Sequence, residues 1–98
     1  MFVHSVYFWL KPGITAAEEA RFVERVRALT KIPSVKQGWL GKPASTDRPI
    51  IDRSYSYGLV IVCEDEAGHD AYQVHPIHDD FRELHDLWTG IKIYDFEE

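Results

Sequence analysis

Seven consecutive residues, Tyr72-Gln73-Val74-His75-Pro76-Ile77-His78, carry a phenol, two of the chain's five histidines and a helix-breaking proline. Imidazole is the side chain whose charge changes nearest neutral pH. A phenol and imidazoles gathered at a break between helical segments can donate and accept protons around a bound ligand. The same residues have a plain structural reading, with Tyr72 packed in the core and the histidines decorating a helix end. Titratable groups in a cluster point to function only in the statistical sense. What surrounds them must therefore be considered.

The elements that would position these groups can be read in order. Phe2 to Leu10 is rich in aromatic and β-branched residues and reads as a strand with two largely apolar faces, His4 lying among the alternating set Phe2, His4, Val6, Phe8 and Leu10. Lys11-Pro12-Gly13 is a turn, and Thr15 stands three residues before Glu18, a capping box opening a helix that runs to about Thr30. The charged residues of this helix form an ordinary solvated face. Val35 to Lys42 reads as a weaker strand, its Gly38 marking a bulge or a close backbone approach. A polar loop follows to Arg53, then a strong strand from Ser54 to Cys63 with Val60 and Val62 on one face and larger apolar residues on the other. Asp65 caps a short helix to about Val74. Pro76 breaks it, because proline lacks the amide donor. A further helical stretch from about Asp79 places Phe81, Leu84, Leu87 and Trp88 inward; Gly90 ends it, and Ile91 to Phe96 is the last strand.

Strand, helix, strand, strand, helix, strand is the ferredoxin-like βαββαβ order, an α+β fold with a four-stranded antiparallel sheet and helices on one face. Residues 1–98 read as a single domain, with no internal repeat or linker. Strands 1, 3 and 4 are apolar on both sides, so the uncovered face would be an aggregation liability. A homodimer that stacks two sheets into a dimeric α/β barrel is the simplest remedy. The aromatic residues Trp39, Tyr55, Tyr57 and Trp88 are then core or dimer-face residues.

Composition narrows the function classes. At 45% hydrophobic and 28% charged, the chain is globular rather than disordered. A net charge of -5 argues against nucleic-acid and anionic-membrane partners, and no basic residues interleave with the aromatic ones. No apolar run reaches membrane-spanning length. Met1 leads straight into a strand, with no signal core, so the expected location is cytoplasmic. The single cysteine, Cys63, lies in an apolar strand and reads as buried and inert. His69 and His85 sit among acidic residues on helices and read as solvated.

The strand-1 histidine in Val3-His4-Ser5-Val6-Tyr7-Phe8-Trp9-Leu10-Lys11, the helix after it, and above all Ala71-Tyr72-Gln73-Val74-His75-Pro76-Ile77-His78 resemble the stress-responsive dimeric α/β-barrel (Dabb) family over essentially the whole chain. The resemblance implies the same fold and a homodimer. The member type whose chemistry is understood is a plant polyketide cyclase that performs an aldol-type condensation without metal or organic cofactor. By that resemblance His78 is the general base, Tyr72 hydrogen-bonds the substrate carbonyl, His4 lines the same cavity and Asp95 could orient an imidazole. His75, with an inferred structural role at the helix end, sits beside the ligand site.

Those residue types suit removal of a proton between two carbonyls and stabilisation of the resulting enolate. The cavity walls are expected from Phe8, Phe22, Val26, Phe81 and Trp88, with Phe8 and Trp9 leaving little room for a long tail. A small-molecule ligand is thus expected, with cofactor-independent lyase- or cyclase-like chemistry, no cofactor and no metal. Three alternatives stay open: a non-catalytic stress-responsive binding dimer, a cofactor-free oxygenase by fold analogy, and a metal site of His75 and His78 joined by His4.

Overall fold

The computed structural model describes all residues from Met1 to Glu98. Its elements are β1 (Phe2–Leu10), α1 (Ala16–Leu29), β2 (Val35–Gly41), β3 (Tyr57–Cys63), α2 (Glu66–Gln73), α3 (Pro76–Arg82), a 3-10 turn (His85–Leu87) and β4 (Trp88–Glu97). The sheet order is β2-β3-β1-β4, antiparallel throughout, which is the ferredoxin-like α+β arrangement. No helix is long and apolar enough to cross a membrane.

Local chemistry explains the boundaries. Thr15 and Glu18 form the reciprocal capping box at the start of α1. The Asp65 carboxylate accepts the Gly68 amide at the start of α2. The helix after the break begins at Pro76 rather than at Asp79, because proline's missing N–H and fixed φ suit the first helical position. β3 begins at Tyr57, not Ser54: the Ser54 amide turns onto the Asp52 carboxylate, and the Ser56 hydroxyl accepts the Leu10 amide. The final helical stretch stops at Arg82, so Leu87 lies in the 3-10 turn and Trp88 begins β4. Gly90 is a strand residue opposite Trp9. At Gly38 a Cβ would meet the Thr30 side chain at 2.8 Å, so glycine permits the end of α1 to settle against β2.

Alternation along β1 sorts the sheet into two faces. Phe2, Val6 and Phe8 join Phe22, Val26 and Leu29 of α1, Leu59, Ile61 and Cys63 of β3, and Tyr72 and Phe81 in one core. Burial raises the Cys63 thiol pKa, consistent with an inert packing role. The other face carries Tyr7 and Trp9, with Val60 of β3, Trp39 of β2, and Tyr94 and Phe96 of β4 in register across it. Trp39, Tyr94 and Phe96 are exposed there.

Candidate functional site

On the helix-covered side the elements leave a cavity of about 270 Å³ that opens to solvent. His4, Tyr72 and His78 all line it, together with Phe8, Phe81 and Trp88. Pairing of β1 with β4 builds one half of the polar set. His4 lies directly opposite Asp95, and both side chains point to the helix side. His4 Nδ1 lies 2.5 Å from Asp95 Oδ1, a hydrogen bond in which the imidazole N–H donates to the carboxylate. The helix break builds the other half. Tyr72 comes from the last turn of α2, His78 from the first turns of α3, and their rings meet edge-on at 4.9 Å between centroids. The Tyr72 ring also faces His4, at 5.7 Å.

The electrostatics of the two imidazoles differ. Burial lowers the His4 pKa, while the hydrogen bond to Asp95 and its charge oppose that fall. His78 is pushed down to about 4, first by burial and next by the charge of Arg82, and its Nδ1 is buried without a hydrogen-bond partner. Burial raises the Tyr72 phenol, so it stays protonated and can donate a hydrogen bond. At neutral pH the cavity therefore presents two neutral imidazoles, one backed by a carboxylate, and a phenol.

Several expected positions differ. Asp95 has its imidazole partner in His4, a choice that the sequence leaves open. Phe22 and Val26 are fully buried in the core and do not reach the cavity wall. Val6 and Leu29 take that place, with Ile91 and Ile93 along the open side over β4. The register signals this, since Ile93 and Ile91 pair with Val6 and Phe8. His75 does not line the cavity either; its Nδ1 accepts the Ile77 amide and caps α3. Trp9 points to the other face of the sheet, where it lines a second hollow with Tyr7, Tyr55 and Tyr94. Gln73 and Arg82 at the cavity were not anticipated.

His69 is likewise not solvated. Its ring stacks on Phe2 at 4.4 Å and tilts against His4 at 4.8 Å. His4, His69 and Asp95 offer ligand atoms within 4.8 Å of one another. The 2.5 Å between His4 and Asp95 is shorter than the roughly 3.3 Å separating two ligands of a tetrahedral zinc with bonds near 2.0 Å, so that pair is set for a hydrogen bond rather than spread around an ion. The set of His4, His75 and His78 is not brought together, because His75 faces its own helix end.

Comparison with known proteins agrees with this architecture. A Dabb-family protein with a ferredoxin-like fold from Mesorhizobium loti superposes with a TM-score of 0.78 at 26% identity, covering 99% of this chain and 95% of that one. A dimeric ferredoxin-like protein of unknown function from Thermobifida fusca gives 0.78 at 21% identity, covering 97% and 88%. A hydroxynitrile lyase from Passiflora edulis gives 0.78 at 14% identity, covering 97% and 90%. No curated protein matches the chain in sequence. The model of the stress-responsive A/B barrel domain matches residues 2–98, and with the β1 histidine and the Tyr72-to-His78 break in place the chain belongs to that family.

Proposed function

We propose that the protein binds a small hydrophobic carbonyl or phenolic compound in the cavity and moves a proton on it, with acid–base chemistry of lyase or cyclase type supplied by its own side chains. The supporting observation is convergence: His4, Tyr72 and His78 come from three different elements and meet on one cavity that solvent can reach. In this reading the His4–Asp95 pair accepts the proton. A general base works best with a pKa near the working pH, and of the two imidazoles only His4 is hydrogen-bonded to a carboxylate that resists the fall; at His78 the charge of Asp79 opposes it less than Arg82 deepens it. The role that the resemblance gives His78 passes to His4, while neutral His78 and protonated Tyr72 donate hydrogen bonds to the developing enolate oxygen. The hydroxynitrile lyase on the same fold is compatible with such chemistry.

The protein acts as a homodimer, in the cytoplasm, through its bare sheet face. The exposed Trp39, Tyr94 and Phe96 on that face support this, as does the dimeric neighbour. Replacing Trp39 and Tyr94 together by glutamate then yields a monomer in sedimentation velocity; a wild type that sediments as a monomer contradicts it.

The chemical reading is tested by deuterium exchange at the acidic C–H of small aryl ketones and β-diketones, followed by NMR. Wild type accelerates exchange over buffer, and His4→Ala loses about a hundred- to ten-thousand-fold of that acceleration. Exchange no faster than buffer across the series would leave a non-catalytic binding dimer. That alternative draws support from the burial that lowers both imidazoles.

A further inference from the structure

The cavity's lining holds one permanent charge. Arg82 of α3 stands at the cavity, whose remaining polar groups are His4, Tyr72, Gln73 and His78. A lone cation beside an apolar hollow stands out in a chain of net charge -5. Its Nη2 donates to the Gln73 carbonyl at 3.3 Å, which tethers the guanidinium to the end of α2. Its nearest carboxylate, Asp79, is 3.7 Å from Nη1 and exposed on the same helix. An exposed pair of that kind is weak. A guanidinium carries five N–H donors in a planar fork matched to a carboxylate, so most of its capacity remains available to a ligand.

Resting on the reading above, we propose that the cavity selects apolar carboxylic acids, with Arg82 taking the carboxylate at the mouth and Phe8, Phe81 and Trp88 enclosing the apolar body. The substrate class is then a small keto or phenolic acid whose reacting carbon lies between the carboxylate on Arg82 and the His4, Tyr72 and His78 groups. A carboxylate fits better than a dianionic phosphate, because Asp79, 3.7 Å from the single arginine, would repel a second negative charge. The acid also changes the site it enters. Arg82 contributes to the low pKa of His78, so pairing that cation with a carboxylate lets the His78 pKa rise.

The test titrates phenylacetate and its neutral counterpart phenylacetamide into wild type, Arg82→Gln and Arg82→Lys, reading the histidine ring resonances by NMR. Wild type is expected to bind the acid about tenfold or more tighter than the amide, as a charge-assisted hydrogen bond would give. Arg82→Gln removes that preference and leaves amide binding unchanged, Arg82→Lys keeps part of it, and the His78 pKa rises with the acid alone. Equal binding of acid and amide by wild type overturns the inference but leaves the carbonyl-binding cavity standing. Equal weakening of both ligands in Arg82→Gln overturns it too, by reducing Arg82 to a brace for α2. Failure of both compounds to bind wild type removes both readings.

Discussion

His4 and His78 face the same cavity from opposite walls, yet their surroundings treat them differently. His4 rises from the sheet, 3% exposed, with Asp95 across the strand pair to accept its N–H. His78 rises from α3, 6% exposed, with Arg82 lowering its pKa and no partner on Nδ1. Burial is nearly equal, so burial alone cannot assign the roles. The charge beside each ring does that: a carboxylate favours proton uptake, and a guanidinium opposes it.

Removing the carboxylate breaks the comparison most sharply. Asp95→Asn takes away the groups that hold the His4 pKa up, so the catalysed exchange should fall about ten- to a hundredfold, the range of a lost charged hydrogen bond. The acidic limb of its pH profile should move to lower pH, because His4 then protonates only in more acidic solution. A profile that keeps its midpoint would separate Asp95 from His4.

An acid titration of stability examines the other ring. The folded pKa of His78, about 4, lies below the 6.5 of an unperturbed histidine. Between those values the unfolded chain binds a proton that the folded chain refuses, so stability is present above pH 6.5 and is lost as pH falls toward 4. The loss expected from this group is about 3 kcal/mol, and urea unfolding of His78→Gln should show a shallower decline over the same window. Identical slopes would mean that burial of His78 is not what acid attacks.

A third imidazole provides the smallest effect. His75 caps α3 and stays off the cavity, so His75→Ala should cost about 1 kcal/mol in stability and leave exchange per folded molecule unchanged.

The alternation of β1 and β3, the Thr15 capping box and the proline break were legible in sequence because each is a local signal. What escaped was set by register and by terminal geometry. Asp95 meets His4 only because β4 pairs with β1 residue for residue, and spacing in the chain does not contain that fact. Phe22 and Val26 were placed at the cavity because α1 covers the sheet. Their side chains complete the core instead, and β4 lies open enough for Ile91 and Ile93 to form the rim. His69 looked solvated beside Asp70, yet its ring lies flat against Phe2. The apolar spacing of Leu84, Leu87 and Trp88 imitates a helix, although α3 ends at Arg82, Leu87 lies in the 3-10 turn and β4 begins at Trp88.

The most direct measurement compares catalysed C–H exchange in His4→Gln and His78→Gln under identical conditions. The first variant should lose about a hundred- to ten-thousand-fold and the second roughly tenfold, as expected for a lost base against a lost hydrogen-bond donor. The opposite order would contradict it, returning the proton to His78 and leaving the His4–Asp95 pair as a structural link between β1 and β4.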